Sequence, residues 1–249
     1  MKRKEKKQKI NGAKFVLWTI RTLLVISILL NGLIVILDVY SDKKVEEGEV
    51  LEATTDQSEL IFLAILTLVL SFLPDYMEKK GYIHLPHLLE LIVVIFIFAG
   101  IYLSARFDLY YRFFWWDDLL HTVSGVIVGF IGFLIVYKLN HKYSMDFNPL
   151  LIAIFAFTFS VTIGVIWEIF EFMMDVWFGT AMQKWNLPET TSLMGRPYQG
   201  SGLRDTMSDL ILASLGALFT SVFCYFLYKN EKRKTLRMMR DVFPEKKQM

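Results

Sequence analysis

The sequence predicts an all-α polytopic membrane protein, a helical bundle with about six transmembrane helices. Hydrophobic residues make up 54% of its 249 positions. Several apolar runs reach about 16–23 residues, the length that a helix needs to cross a hydrocarbon core of roughly 30 Å. Most of the charges lie at the chain ends and in the connections. This segregation is typical of a membrane protein and gives no support for nucleic-acid binding.

The apolar runs place spans near residues 15–38, 59–74, 85–104, 119–138, 149–173 and 206–228. They form one transmembrane domain, 15–228, between a basic N-terminal segment, 1–14, and a basic tail, 229–249. The first apolar stretch is long for a signal peptide and lacks a small-x-small cleavage site, so we expect an uncleaved signal anchor. Cys224, the one cysteine, lies in the last span, which excludes an intrachain disulfide and a cysteine zinc site.

The distribution of Lys and Arg predicts that both termini are cytoplasmic. With that orientation, nineteen basic residues lie on the cytoplasmic side and seven on the other. Cytoplasmic segments of membrane proteins carry such an excess. Arg21 lies inside the first span near its cytoplasmic end, where its long side chain can reach the interface.

Ionisable residues cluster at one end of the last three spans, in WWDDLLHTVSGVIVG (115–129), GVIWEIFEFMMD (164–175) and GSGLRDTMSDLILASLG (200–216). Helical spacing puts the acids of each span on one face, which continues as small residues. The faces contain Asp117, Asp118, His121, Gly125, Gly129 and Gly132; Gly164, Glu168, Glu171 and Asp175; and Asp205, Asp209, Ala213 and Gly216. Small residues let helices approach closely, so we expect the three helices to pack together with their acidic ends meeting.

The predicted topology puts these ends at the extracytoplasmic surface. His121, Glu168 and Asp209 are expected about one helical turn, roughly 5 Å, deeper than the other acids. Charged groups at membrane depth are costly and indicate function by default. A structural alternative stays open for Asp117, Asp118 and Asp205, which are placed to cap their helices.

Carboxylates this close together need protonation, neighbouring cations or a bound metal. Arg204, Arg112 and Arg196 are candidate neighbours. The oxygen-rich set with one imidazole suits Mg²⁺, Mn²⁺, Fe or Zn²⁺, and its candidate ligands are Asp118, His121, Glu168, Glu171, Asp175 and Asp209. His121, Glu168 and Asp209 are the candidate catalytic residues, with His121 or Glu168 as general base.

The loop 180–204 is long enough to fold over this cluster as a lid. Its polar side chains are candidates for contacting an anionic substrate, chiefly Arg196, Gln199 and Arg204.

The segments WWDDLLHTVSG, WEIFEFMMD and RDTMSDLILASLGA, in that order on consecutive spans, resemble the YjdF-like family of uncharacterised bacterial inner-membrane proteins. The resemblance covers roughly residues 60–228 and implies a multi-pass protein of the bacterial plasma membrane. More distantly, the same pattern is similar to the VanZ-like group, which is associated with glycopeptide-antibiotic resistance. WEIFEF stands here where that group usually has Glu-x-x-Gln.

Three functions are compatible with the sequence. The first is a metal-assisted hydrolase or transferase that acts on a lipid or cell-envelope precursor at the outer membrane face. The second is a non-catalytic membrane factor whose acidic cluster binds a cation or a partner. The third is an ion-coupled transporter, although no proline-broken pair of spans supports it.

Overall fold

The computed structural model describes residues 2–40, 57–80, 87–187, 192–193, 196–197 and 200–230. Within these ranges it describes the side chains of residues 12–37, 57–80, 87–187 and 200–229. Gln199 and the side chain of Arg196 therefore lie outside the described residues. By its internal contacts the chain forms two compact units, the first ending at Phe113 and the second beginning at Phe114.

The described residues of the first unit are mainly helical. The helical elements are α1 (Lys2–Tyr40), α2 (Gln57–Ser71), α3 (Leu73–Lys79), α4 (His87–Ile97), a π-helical stretch (Phe98–Leu103), α5 (Ser104–Arg106) and α6 (Leu109–Arg112). Their core is built from buried side chains of α1, α2, α4 and the π-helical stretch, namely Leu17, Ile20, Leu24, Ala64, Val94 and Tyr102. Pro74 in the first turn of α3 marks the break after α2, because proline suits a helix start and not a helix interior.

Arg21 joins α1 to the junction of α2 and α3. Its guanidinium donates to the Ser71 carbonyl oxygen at 2.6 Å and to Asp75 Oδ2 at 2.7 Å. It also lies 3.9 Å from the centre of the Phe72 ring, a cation–π distance. Arg21 is buried, with 6% exposure. Arg21 thus has a partner within this unit, and its reach to the interface stays a prediction.

The second unit contains three long helices, α7 (Trp116–Tyr143), α8 (Pro149–Phe178) and α9 (Ser201–Asn230). At the start of α8, the Asn148 side chain accepts a hydrogen bond from the Leu150 amide, and Pro149 occupies the first turn. The helix ends at Gly179, whose φ of 68° is the left-handed conformation that glycine adopts at little cost. Between α8 and α9, β1 (Ser192–Leu193) and β2 (Arg196–Pro197) pair antiparallel.

The small-residue stripes bring α7 and α9 into backbone contact. A Cβ atom on Gly125 would collide with the Ala213 carbonyl oxygen, and one on Gly216 would collide with the Thr122 carbonyl oxygen. From α8, the Ser160 hydroxyl donates to the Gly125 carbonyl oxygen at 3.0 Å. Close approach of this kind replaces the hydrophobic driving force that helices lack inside lipid.

Six helical segments of the described chain are long and apolar enough to cross a membrane. They are Gly12–Leu37, Gln57–Lys79, His87–Arg106, Trp116–Tyr143, Pro149–Phe178 and Ser201–Lys229. This confirms the predicted fold class, a helical membrane bundle of six spans, with the short β1–β2 pair as an addition. The cytoplasmic position of both termini stays a prediction.

Candidate functional site

The acidic end of the second unit is formed by the first turns of α7 and α9 and the last turns of α8. Here Asp117, His121, Glu168 and Asp209 come together, and the three carboxylates are all buried. Asp209 is the most buried of them, with 1% exposure. His121, Glu168 and Asp209 come from α7, α8 and α9 in turn, and their depth in the membrane stays a prediction.

His121 lies at the centre of the group. Its Nε2 atom is 3.5 Å from Asp117 Oδ1 and 3.8 Å from Asp209 Oδ2, and its Nδ1 atom is 3.8 Å from Glu168 Oε1. One ligand atom each from Asp117, His121 and Asp209 lies within 4.8 Å of the other two. Two ligand atoms on a tetrahedral ion with bonds near 2.1 Å are about 3.4 Å apart. A divalent ion would therefore fit after a small contraction.

Two carboxylate oxygens of this group have no hydrogen-bond partner among the described residues. They are Glu168 Oε2 and Asp209 Oδ2, and both are buried. A buried polar atom without a partner costs roughly 1–3 kcal/mol, and more when it carries charge. The group therefore has acceptor capacity that its own donors do not fill. A proton or a cation can fill it.

Lys184 lies at the outer edge of the group. The sequence pattern predicts Arg112, Arg196 and Arg204 as neutralising cations and does not predict Lys184. Its ammonium donates to Asp117 Oδ2 and, at 2.9 Å, to Asp205 Oδ1. Burial lowers the pKa of Lys184, but the two carboxylates outweigh that effect and raise the pKa above its ordinary value. Lys184 therefore stays charged. The sequence feature that could have indicated its role is its position beside Trp185, six residues after the end of α8.

Asp175 fixes the loop that carries Lys184. Its carboxylate accepts hydrogen bonds from the Thr180 hydroxyl at 2.6 Å, the Met182 amide at 2.8 Å and the Gln183 amide at 3.0 Å. The Gln183 side chain donates to Thr206 Oγ1 on α9 at 2.7 Å. The described part of the predicted lid thus lies against the start of α9.

The other predicted site residues are placed as follows. Glu171 is buried and accepts a hydrogen bond from Trp167 Nε1 at 2.7 Å. Asp118 and Arg204 are exposed. The N-cap of α7 is Trp115, whose side chain makes no capping hydrogen bond. Asp117 and Asp118 lie in the first turn of the helix and therefore do not occupy the N-cap position. The assignments of Asp118, Glu171 and Asp175 as metal ligands stay predictions.

Comparison with known proteins gives a family. A family model described as "Predicted membrane protein (DUF2238)" matches residues 47–230, which include every residue of the acidic end. The chain belongs to the DUF2238 family. An uncharacterized protein of Thermotoga maritima is 27% identical over 163 residues, which cover 66% of this chain and 71% of that protein. No solved structure matches this DUF2238 member. The family establishes a membrane protein and assigns no activity.

Proposed function

We propose that this protein is a metal-dependent enzyme of the bacterial plasma membrane, a hydrolase or transferase acting on a lipid or cell-envelope precursor. Asp117, His121 and Asp209 hold the divalent ion in this proposal, and Glu168 is the general base. The observation that carries it is the approach of three potential ligand atoms to within 4.8 Å, beside buried carboxylate oxygens that lack donors. The likeness to YjdF-like proteins fits the family membership and supports a bacterial membrane.

The donor set indicates which ions to test. One imidazole with carboxylate oxygens favours Mn²⁺, Fe²⁺ or Zn²⁺, whereas Mg²⁺ prefers oxygen ligands alone. Three protein ligands leave at least one coordination position open, which is the arrangement of catalytic rather than structural metal sites. An ion held by these three residues would supply Lewis-acid chemistry, since a phosphoryl or carbonyl oxygen or a water molecule could bind at the open position. Glu168, whose Oε1 atom lies 3.8 Å from His121 Nδ1, is placed to accept a proton nearby.

The depth of the group supports a lipid-linked substrate. Indole rings prefer the membrane–water interface. Three of them, from Trp115, Trp177 and Trp185, are exposed around the ends of the helices that carry the acids. The head group of a lipid lies at that level. In this proposal Arg204, Arg196 and Gln199 contact the anionic part of the substrate, and both termini are cytoplasmic.

The test is the metal content of purified full-length protein in detergent. After incubation with Mn²⁺ or Zn²⁺ and removal of free ion, mass spectrometry should find one ion per chain. Asp209→Asn and Asp117→Asn should each lower that content at least tenfold. Asp146→Asn is the matched control, because this carboxylate is exposed and lies at the opposite end of α7 from the acidic end, and the variant should retain the ion. A wild-type protein that holds neither ion would refute the proposal.

A structural cation is the second candidate, favoured by the origin of the cluster in three different helices. Such an ion would join α7, α8 and α9, and it would have no open position. Proton relaxation of water around bound Mn²⁺ separates the two functions. Rapidly exchanging inner-shell water supports an enzyme, whereas its absence together with a large loss of thermal stability in chelator supports the structural role.

A further inference from the structure

The two carboxylate oxygens of Asp117 face different partners. Oδ1 faces inward and lies 3.5 Å from His121 Nε2. Oδ2 faces the loop and accepts from the Lys184 ammonium, which Asp205 Oδ1 also contacts at 2.9 Å. Asp117 thus bridges an inner group around His121 and an outer group around Lys184.

A carboxylate that bridges two cations is the usual core of a two-metal site, in which the ions lie about 3.5–4 Å apart. Here the outer position holds an ammonium. We propose that this centre has two cation subsites and that the outer one, formed by Asp117 and Asp205, is filled by the tethered ammonium of Lys184. The acids alone would bind two divalent ions, and with Lys184 in place the centre takes up one. The inner ion rests on the proposed function, whereas the outer subsite does not.

The need for cations in this group is supported independently by two oxygens that lack a hydrogen bond. Asp209 is 1% exposed and Glu168 is 5% exposed, and each has one carboxylate oxygen without a hydrogen-bond partner among the described residues. The ammonium of Lys184 contacts Asp117 and Asp205, and those oxygens of Asp209 and Glu168 remain without a donor. Lys184 therefore fills one position and leaves the inner one for a ligand.

The loop holds Lys184 over the outer position. Its side chain is only 16% exposed, and its φ of 48° is a left-handed backbone conformation that a lysine seldom adopts. The hydrogen bonds of Asp175 and Gln183 hold the backbone just before it. Such an ammonium is a fixed second charge that does not depend on metal supply. It would face the anionic oxygen that a phosphoryl or carboxyl substrate develops beside the inner ion.

The experiment measures Mn²⁺ bound per chain at saturation, by electron paramagnetic resonance and elemental analysis, on full-length protein in detergent. Lys184→Gln should bind one ion more than wild type. Lys184→Arg keeps the charge and should bind no more than wild type. Adding Asp205→Asn to Lys184→Gln removes one wall of the outer subsite and should abolish the extra ion.

The outcomes separate this inference from the proposed function. If wild type binds no ion and Lys184→Gln binds one, the proposed function fails and the outer subsite stands. If both proteins bind one ion, the inner site stands and the inference is overturned. Lys184→Met is a second neutral variant in case Lys184→Gln does not fold. If neither variant folds, the number of ions bound by the wild-type protein is the test. Uptake of two ions per chain overturns the inference, because Lys184 would then not keep a metal ion out of the outer subsite.

Discussion

Replacing Gly125 by alanine should separate α7 from α9. The added Cβ would lie 2.9 Å from the Ala213 carbonyl carbon and 3.0 Å from the Ala217 amide nitrogen, and closer still to the Ala213 carbonyl oxygen. Carbon atoms in contact prefer about 3.5–4.0 Å. These neighbours are backbone atoms and cannot rotate away, so the helices must part by roughly 1 Å.

The expected cost follows from two opposing effects. Overpacking costs typically about 1–3 kcal/mol, and a clash with backbone belongs near the upper end. Alanine inside a helix recovers roughly 0.5–1 kcal/mol relative to glycine. Gly125→Ala should therefore lose about 2 kcal/mol of stability. Gly32→Ala in α1 is the control, because its Cβ would meet nothing within 4 Å.

Thermal unfolding of the two variants in the same detergent provides the measurement. Gly129→Ala adds a graded case, since its Cβ would lie 3.4 Å from Thr220 Cβ, an ordinary contact, and its stability should stay near that of wild type. If Gly125→Ala unfolds at the same temperature as Gly32→Ala, the close α7–α9 packing is not as described. Because Asp117 and His121 are on α7 and Asp209 is on α9, Gly125→Ala should also weaken metal uptake.

Three further changes test contacts outside that interface. Asp175→Ala removes the carboxylate that accepts three hydrogen bonds from the loop after α8 and should speed proteolysis there, whereas Asp175→Asn should have a smaller effect. Arg21→Met leaves the partly exposed Asp75 without its cation, and we expect a loss of about 1–3 kcal/mol in thermal unfolding. Unchanged stability would contradict the pairing. Trp167→Phe removes the donor to buried Glu171 and should cost about 1–3 kcal/mol; a neutral result would mean that water replaces the indole.

Much of this arrangement could be predicted from local spacing. Apolar run length gives the spans, and the i, i+4 pattern puts His121, Glu168 and Asp209 on faces that also carry small residues. Because the small residues set which faces meet, the convergence of these three side chains follows from the sequence. Which of Asp117 and Asp118 joins this group could not be predicted from the sequence. Both lie within one turn of His121, and the rotation of α7 that decides between them depends on packing.

Contacts that depend on loop conformation or on distant partners could not be predicted. By its spacing, Asp175 belongs to the same helix face as Glu168. Its carboxylate nevertheless accepts hydrogen bonds from loop amides, whose position depends on the left-handed backbone conformation of Gly179. Lys184 reaches Asp117 across 67 positions of the chain, and charge alone does not distinguish it from the arginines nearby. The burial of Arg21 likewise depends on a partner in another helix.

The pairing of Arg21 with Asp75 also has a consequence for biosynthesis. An arginine at the centre of a span costs roughly 2.5–3.5 kcal/mol when a helix enters the bilayer alone, and a smaller cost applies to Arg21 nearer the span's end. The partner of Arg21 lies 54 residues further along the chain, so α1 emerges from the ribosome before its counter-charge exists. We expect the first two spans to leave the translocon together as a hairpin, with the ion pair formed before either helix faces lipid.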